Sequence, residues 1–384
     1  MKQLIYLIFI LFICYACNFP GTQGSAGESE IQLKFECDTI RFSDMIDTIM
    51  YIPLQTNDKS IIGKISRIFF QQNKYYIFDA QQKKVVVFDE TGKYISQLNK
   101  NGKGPCEYVD VRDIFVNRRG IVKILSSSNP IQFIEYDLKS DSCKSVSYGE
   151  LTGYRFYPYD AGYLFFSPIG DGRPNYRFFL FAADSTGKVL NKWLPSHPPV
   201  EYSLPVKAFG SYKDTVLFNK HFDNHIYQIS PDKEISVRYT LNYGKYQIPE
   251  KVKAMFRKSF QYYLENSDGY ILVLDFFYET PDLLVFSYLT HQGDSPFFAL
   301  FVKDKKELIV LRPKDDIAIA VSDPVNLLDD GFFISFLDVS DFLDASDEGW
   351  KNRLYKIYPG LESAVENLSE ISNPVLIKYK FKKQ

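Results

Sequence analysis

The chain has no surplus of either charge: 45 Lys and Arg stand against 47 Asp and Glu, a formal net charge of −2. Without a basic excess there is nothing to drive counterion release from phosphates, which excludes a nucleic-acid binder of the ordinary kind. Motifs of familiar chemistry are missing too. No G-x-S-x-G elbow, Walker loop or Rossmann fingerprint occurs in the 384 residues. Cysteine is scarce, with 5 in all, and its spacings match no metal-binding signature. The uninterrupted apolar run Leu4 to Ile13 is too short for a membrane-spanning helix, which needs roughly 20 apolar residues.

What is plentiful is aromatic side chains, 16% of the chain, with 33 Phe and 28 Tyr. Such residues fit the pleated, half-buried surface of a sheet. A hydrophobic fraction of 45% is ample for a core, and large all-β folds reach this length as one domain.

The N-terminus reads as a targeting segment. Met1-Lys2 is a short positive start, and the apolar run ends at Ala16-Cys17, followed by a small and polar stretch through Gly27. The junction resembles a bacterial lipobox, with Cys14 where Leu is usual. This implies a signal peptide over 1–16, lipidation of Cys17, and a flexible tether over 17–30. The expected address is the cell envelope, on the membrane through the lipid anchor only, facing periplasm or cell surface. Cys37, Cys106 and Cys143 then remain. One bridge among them fits an oxidising compartment, and the pattern does not choose the pair.

From Ile31 to the C-terminus the chain reads as strand after strand. The clearest unit has strands at Ile65–Phe70, Tyr75–Asp79, Val85–Asp89 and Tyr94–Leu98, with the tight hairpin Glu90-Thr91-Gly92-Lys93. A second set spans Asp113 to Tyr148. A third runs from Arg155 to Leu194, where Asp184-Ser185-Thr186-Gly187-Lys188 echoes the first hairpin. A fourth spans Val206 to Leu241 and a fifth Tyr270 to Leu311. A sixth is assembled from Ile317–Val321, Gly331–Phe336, Arg353–Tyr358 and the terminal Val375–Phe381. A period of roughly 40–50 residues signals a propeller or solenoid, and a closed ring also hides edge strands. The expected architecture is an all-β, six-bladed propeller over 31–384, with four-stranded antiparallel blades and one or two short helical insertions. Helical spacing of apolar residues over Pro249–Glu265 and over Glu362–Leu368 supplies those insertions.

The segment Gly102-Lys103-Gly104-Pro105-Cys106-Glu107-Tyr108 resembles the G-x-G-P-G-E-Y segment of six-bladed propeller lipoproteins from Bacteroides-type bacteria, relatives of NHL-repeat propellers. Tyr51–Thr56, Val87-Phe88-Asp89 before Gly92-Lys93, and Asn373–Tyr379 match as well. The resemblance implies fold and address, not a reaction. It places Gly102, Gly104, Pro105, Glu107 and Tyr108 in the loop joining one blade's outer strand to the next blade's inner strand. Such a turn either makes the crossing and no more, or offers N–H groups to an anion. Cys106 stands where the family has a second Gly, which has backbone angles Cys avoids.

Candidate chemistry is thin. His221-Phe222-Asp223-Asn224-His225 has a metal-like composition, but an extended segment sets its two His some ~13 Å apart; no metal or cofactor is expected. Asp315-Asp316 and Asp329-Asp330 read as solvated loops. Arg67, Arg112 and Arg155 fall at or near innermost strands, where they can converge on the channel mouth as a cationic funnel for an anionic ligand such as an acidic sugar. The other reading pairs them with carboxylates such as Asp113. Trp193 and Tyr202 are candidates for stacking on a ligand. A binding or protein-interaction module is therefore expected, its partner a carbohydrate or another envelope protein. The alternative is a propeller hydrolase or lyase acting on a glycan or lactone, which an acidic or His-lined channel would favour over an aromatic one.

Overall fold

A computed structural model describes residues 29–127, 131–148, 153–167, 178–195, 207–220, 223–255, 259–271, 273–289, 297–311, 326–344 and 347–383. The expected signal peptide, Cys17 and the tether as far as residue 28 lie outside these, as do His221, Tyr202 and Ile317–Val321. Two strands precede the first blade: β1 (Ser29–Gln32) and β2 (Ile46–Pro53), with the short helix α1 (Phe42–Met45) between them. Ser29 and Glu30, read from the sequence as the end of the tether, are already part of β1.

Five consecutive four-stranded antiparallel sheets then follow in chain order. They are β3–β6 (Ile65–Gln71, Lys74–Asp79, Lys84–Asp89, Tyr94–Leu98) and β7–β10 (Val111–Val116, Ile121–Ser126, Gln132–Asp137, Ser142–Ser147). Next come β11–β14 (Arg155–Tyr159, Gly162–Phe166, Phe178–Asp184, Val189–Pro195) and β15–β18 (Phe209–Tyr212, Thr215–Phe218, His225–Ile229, Ile235–Asn242). The fifth is β19–β22 (Val273–Glu279, Leu283–Leu289, Phe297–Val302, Glu307–Leu311). With a sixth sheet they form a six-bladed β-propeller.

Position within a blade explains the composition of each strand. The middle strands β4 and β5 are nearly all buried, because neighbouring blades cover both faces, so they read as apolar runs rather than alternating ones. The outermost β10 (SCKSVS) is almost wholly exposed. Stacking of blades also accounts for the aromatic content. Phe133 meets Phe156 edge-on at 4.9 Å between the second and third blades, and Phe166 meets Phe218 at 5.4 Å between the third and fourth. Such pairs add about 0.5–1.5 kcal/mol beyond their burial.

Two hairpins use the same chemistry. Asp89 Oδ1 accepts from the Thr91 N–H (2.9 Å), the Thr91 hydroxyl (2.7 Å) and the Lys93 N–H (3.0 Å). Asp184 Oδ1 does the same for Thr186 and Lys188 at 2.8, 2.6 and 3.0 Å. Gly92 and Gly187 take φ of +86° and +89°, which only Gly adopts at little cost.

The sixth blade departs from the sequence expectation. Its inner strands are β23 (Asn326–Leu327), β24 (Phe333–Leu337) and β25 (Val375–Phe381), and its outermost strand is β2. The antiparallel register runs from Ile46 opposite Phe381 to Pro53 opposite Val375, so β2 and the C-terminal strand β25 close the ring. Arg353–Tyr358, expected as a strand, is helical instead. Between β24 and β25 the chain forms three helices, α4 (Val339–Asp344), α5 (Glu348–Ile357) and α6 (Leu361–Val365). The Asp347 carboxylate caps α5 by accepting the Trp350 N–H at 2.9 Å. Leu354 and Tyr358, four apart, both enter the core with Phe342 and Leu361, and that helical spacing overrides the strand-like local alternation. The other expected helix, Pro249–Glu265, is two pieces among the described residues, α2 (Glu250–Lys253) and α3 (Phe260–Asn266). Ser259 between them is extended at φ −153°, and its side chain caps α3 by accepting from Tyr262.

β1 adds a fifth strand to the fourth blade, running parallel to β18 with Ile31 opposite Leu241. It covers an edge that would otherwise present unpaired backbone groups.

Candidate functional site

The innermost strands surround a channel enclosing about 980 Å³, within the range of small-molecule sites. Each blade contributes a polar residue at or beside the start of its innermost strand: Arg67, Asp113, Arg155, Lys207, Asp275 and Asn326, all of which line the channel. Two residues further along each strand comes a large apolar side chain, Phe69, Phe115, Tyr157, Phe209, Phe277 and Leu328, and these line it as well. Phe69, Phe115, Tyr157 and Phe209 are in contact in that order, with ring centroids 5.6, 5.6 and 5.9 Å apart. The channel is thus a polar collar with an aromatic row beside it.

The collar is unevenly paired. Arg67 Nη2 lies 3.4 Å from Asp113 Oδ1, and Asp113 Oδ2 accepts the Phe156 N–H at 3.0 Å. Arg155 Nη1 donates to the carbonyls of Arg112 (2.8 Å) and Tyr154 (3.0 Å). Its Nε is buried and has no hydrogen-bond partner among the described residues. Burial, opposed by the charge of Asp113, lowers the Arg155 guanidinium below the usual arginine range. Lys207 Nζ sits 3.0 Å from the centroid of the Tyr278 ring. Burial, with the nearby charge of Arg67, holds the Lys207 ammonium well below the usual lysine range. Burial raises the Asp275 carboxyl. Perturbed groups of this kind, gathered in one cavity, mark a candidate functional site.

The three arginines singled out from the sequence come together. Arg67, Arg112 and Arg155 all line a second cavity of about 420 Å³ beside the channel, with Asp110 and Lys83 at its rim. Arg112 is not in the channel itself: its Nη1 donates to the Gly153 carbonyl at 3.0 Å, and its guanidinium lies 4.5 Å over the Tyr154 ring. Sequence reasoning missed Lys207, Asp275 and Asn326. Blade-by-blade alignment of the innermost strands is the signal that finds them, but those strands are short and the residue types differ.

The Gly102–Tyr108 segment lies in the crossing from β6 to β7 and lines neither cavity. The Glu107 carboxylate folds back onto the loop and accepts the Gly104 N–H at 2.7 Å. A Cβ on Gly102 would come within 2.0 Å of that carboxylate. Tyr108 is buried, and its hydroxyl donates to the Lys83 carbonyl at 2.8 Å. Cys106 holds φ +60°, the left-handed conformation of a glycine, and is bridged to Cys143. Pro105 sits between these anchored positions. The Gly104 amide therefore meets the loop's own Glu107, while the Gly102, Glu107 and Tyr108 amides donate to the carbonyls of Tyr108, Gly104 and Lys100.

Trp193 is on the outermost strand of the third blade, where its indole N–H donates to the Lys233 carbonyl at 3.2 Å, away from the channel. Asp223 accepts from the His225 ring (2.7 Å), the Tyr227 hydroxyl (2.9 Å) and Lys220 (3.0 Å). Burial works against the Asp223 charge, but the His225 hydrogen bond and the Lys220 ammonium outweigh it and hold its pKa well below the usual range. Among the described residues no group of three or more His, Cys, Asp or Glu side chains is placed to hold a metal. No described helix is long and apolar enough to cross a membrane.

A ring of six sheets closed by β2 against β25, with a polar and aromatic axial channel, defines a propeller with a ligand-sized central cavity. The chain belongs to the DUF4934 family, a domain of unknown function, whose model matches residues 28–380. No curated protein matches it. Among solved structures it is similar to a Bacteroides fragilis NCTC 9343 protein described as exported, at 18% identity and TM-score 0.77, over 93% of this chain and 100% of that one. A member of the DUF4221 family from Bacteroides vulgatus ATCC 8482 is similar at 12% identity and TM-score 0.54, over 88% and 98% of the two chains. At these identities the likeness is one of fold.

Proposed function

We propose that this protein is an exported, lipid-anchored binding module whose channel takes an anionic ligand, with acidic carbohydrate as the first candidate. The observation that carries this is the convergence of three cationic side chains, Arg67, Arg155 and Lys207, on one channel. Arg67 and Lys207 add positive charge to the same channel, and Arg112 extends it into the second cavity. The aromatic row offers flat apolar surface to the body of a sugar ring. The aromatic row favours binding, whereas the carboxylates Asp113 and Asp275 in the collar are the feature that a hydrolase or lyase would use instead.

The address is part of the same reading. The apolar run ending at Ala16-Cys17 supports export and lipidation. The Cys106–Cys143 bridge suits an oxidising compartment, and the similar Bacteroides fragilis protein is described as exported. The Gly102–Tyr108 loop supports kinship with the propeller lipoproteins of Bacteroides-type bacteria.

The test is thermal unfolding of the full-length protein in detergent with acidic and neutral oligosaccharides. A ligand at a hundredfold its Kd stabilises by about 2.7 kcal/mol. Stabilisation by the acidic series alone, lost in Arg155→Met, is the expected result. Stabilisation that survives Arg155→Met, or none with any acidic sugar, overturns the reading.

A further inference from the structure

One residue of the collar is more than an anion contact. Lys64, Lys207 and Lys213 all line the channel; Lys64 and Lys213 are exposed, whereas Lys207 is half-buried and has neither an ion pair nor a hydrogen bond among the described residues. Arg67, in contrast, has Asp113, and Arg155 has two carbonyls. Its neighbour is the Tyr278 ring, 3.0 Å from Nζ to the centroid. Phe209, Phe276 and Phe277 line the same wall. An amine that is desolvated among aromatic rings and close to another cation is the arrangement that turns lysine into a nucleophile. A lysine kept only to attract anions would do so best as a fully protonated, solvated ammonium, whereas the charge near this one is that of Arg67.

We propose that Lys207 captures the carbonyl of an oxo acid as an imine, while the guanidinium groups of Arg67 and Arg155 hold the acid's carboxylate. The Lys207 nitrogen adds to the carbonyl carbon, and the carbon–oxygen π pair moves to oxygen. The resulting carbinolamine loses that oxygen, with the two amine hydrogens, as water. One carbon–nitrogen double bond replaces one carbon–oxygen double bond, and no oxidant or reductant is consumed. The ligand class is an acid bearing an aldehyde or ketone close to its carboxylate, a group that open-chain acidic sugars also carry. The depressed basicity of Lys207 fits this role, since each unit below the usual value raises the free-amine fraction about tenfold. The carboxylate half of this inference rests on the anion-binding reading above.

The experiment treats the full-length protein with pyruvate and sodium cyanoborohydride, then maps reduced adducts on every lysine by peptide mass spectrometry. Acetone, which has a methyl group in place of the carboxylate, is run in parallel. The expected result is labelling at Lys207 well above that of exposed lysines such as Lys305, and greater with pyruvate than with acetone. The label disappears in Lys207→Arg, and its pyruvate preference disappears in Arg155→Met. Labelling of Lys207 no greater than that of Lys305 overturns the imine, and this comparison needs no variant that has to fold. If acidic sugars still stabilise the protein in that case, only the imine fails and the anion site stands. Strong but equal labelling by pyruvate and acetone keeps the imine and overturns the carboxylate clamp.

Discussion

Cys106, in the crossing between the first two blades, is joined by a disulfide to Cys143 on the outermost strand of the second blade, with the two Cα atoms 6.3 Å apart. Cys106 also offers its carbonyl to the Tyr136 hydroxyl. The loop is thereby fastened to the sheet it feeds, and its residue with φ +60° is the one that carries the bond. Closing a loop with a sequence separation of 37 stabilises by about 4 kcal/mol in the chain-entropy account. Reduction, or Cys143→Ser, is therefore expected to lower the unfolding free energy by a few kcal/mol, measured by denaturant melts with and without reductant. Identical melts would show that the bridge does not form in the folded protein.

Gly92 and Gly269 separate two costs that a side chain meets at positive φ. Gly92 has φ +86°, and a Cβ there would lie 2.3 Å from the Pro53 carbonyl oxygen. Gly269 has φ +75° with nothing within 4 Å. Gly269→Ala is expected to cost about 1–2 kcal/mol, the left-handed penalty alone. Gly92→Ala should cost clearly more, because it also pushes the first hairpin off the closing strand β2. Urea melts of the two variants make the comparison, and equal losses would refute the close approach to Pro53.

Glu279 is a buried carboxylate shared by two cations. Arg238 reaches it through Nε and Nη2, both at 2.6 Å, and Lys303 Nζ lies at 3.0 Å. Glu279→Ala strands both cations next to the channel wall, with an expected loss of about 3–5 kcal/mol. Lys303→Met, which leaves the Arg238–Glu279 pair intact, should cost less. A Glu279→Ala protein as stable as wild type would mean that water solvates the pair.

Asp223 sets a dependence on acid. Its folded pKa lies below its unfolded one, so the unfolded chain binds more protons as pH falls, and stability declines with it. The contribution is complete above the unfolded value of about 4 and shrinks as pH drops beneath it. The gap in unfolding free energy between wild type and Asp223→Asn is expected to narrow as pH falls below about 4. A gap that does not change with pH would mean the carboxylate gains nothing from His225 and Lys220.

Much of the ring was legible before any coordinates. The two Asp-x-Thr-Gly-Lys hairpins at 89–93 and 184–188 are local chemistry, an Asp accepting from the Thr and the Lys of its own turn and a Gly at positive φ. The middle strands β4 and β5 announce themselves as apolar runs because both faces are covered. Arg353–Tyr358 was misleading for the opposite reason. Alternation over six residues is weak, and the Asp347 cap with Leu354 and Tyr358 four apart settles the segment as helix. The candidate site was half legible. Arg67 and Arg155 stand out on recognisable strands, whereas Lys207 precedes a strand of only four residues and Asp275 occupies a register shift in β19.

The sequence by itself determined the all-β repeat, the turns and the six-bladed count, because strand period and turn residues are properties of neighbours in the chain. Only the tertiary structure decided that β2 closes the sixth blade against β25, that Cys106 chooses Cys143, and that Arg67, Arg155 and Lys207 share one channel. Those partners are tens to hundreds of residues apart. Their meeting depends on how twisted sheets stack around an axis, a geometry that no local pattern encodes.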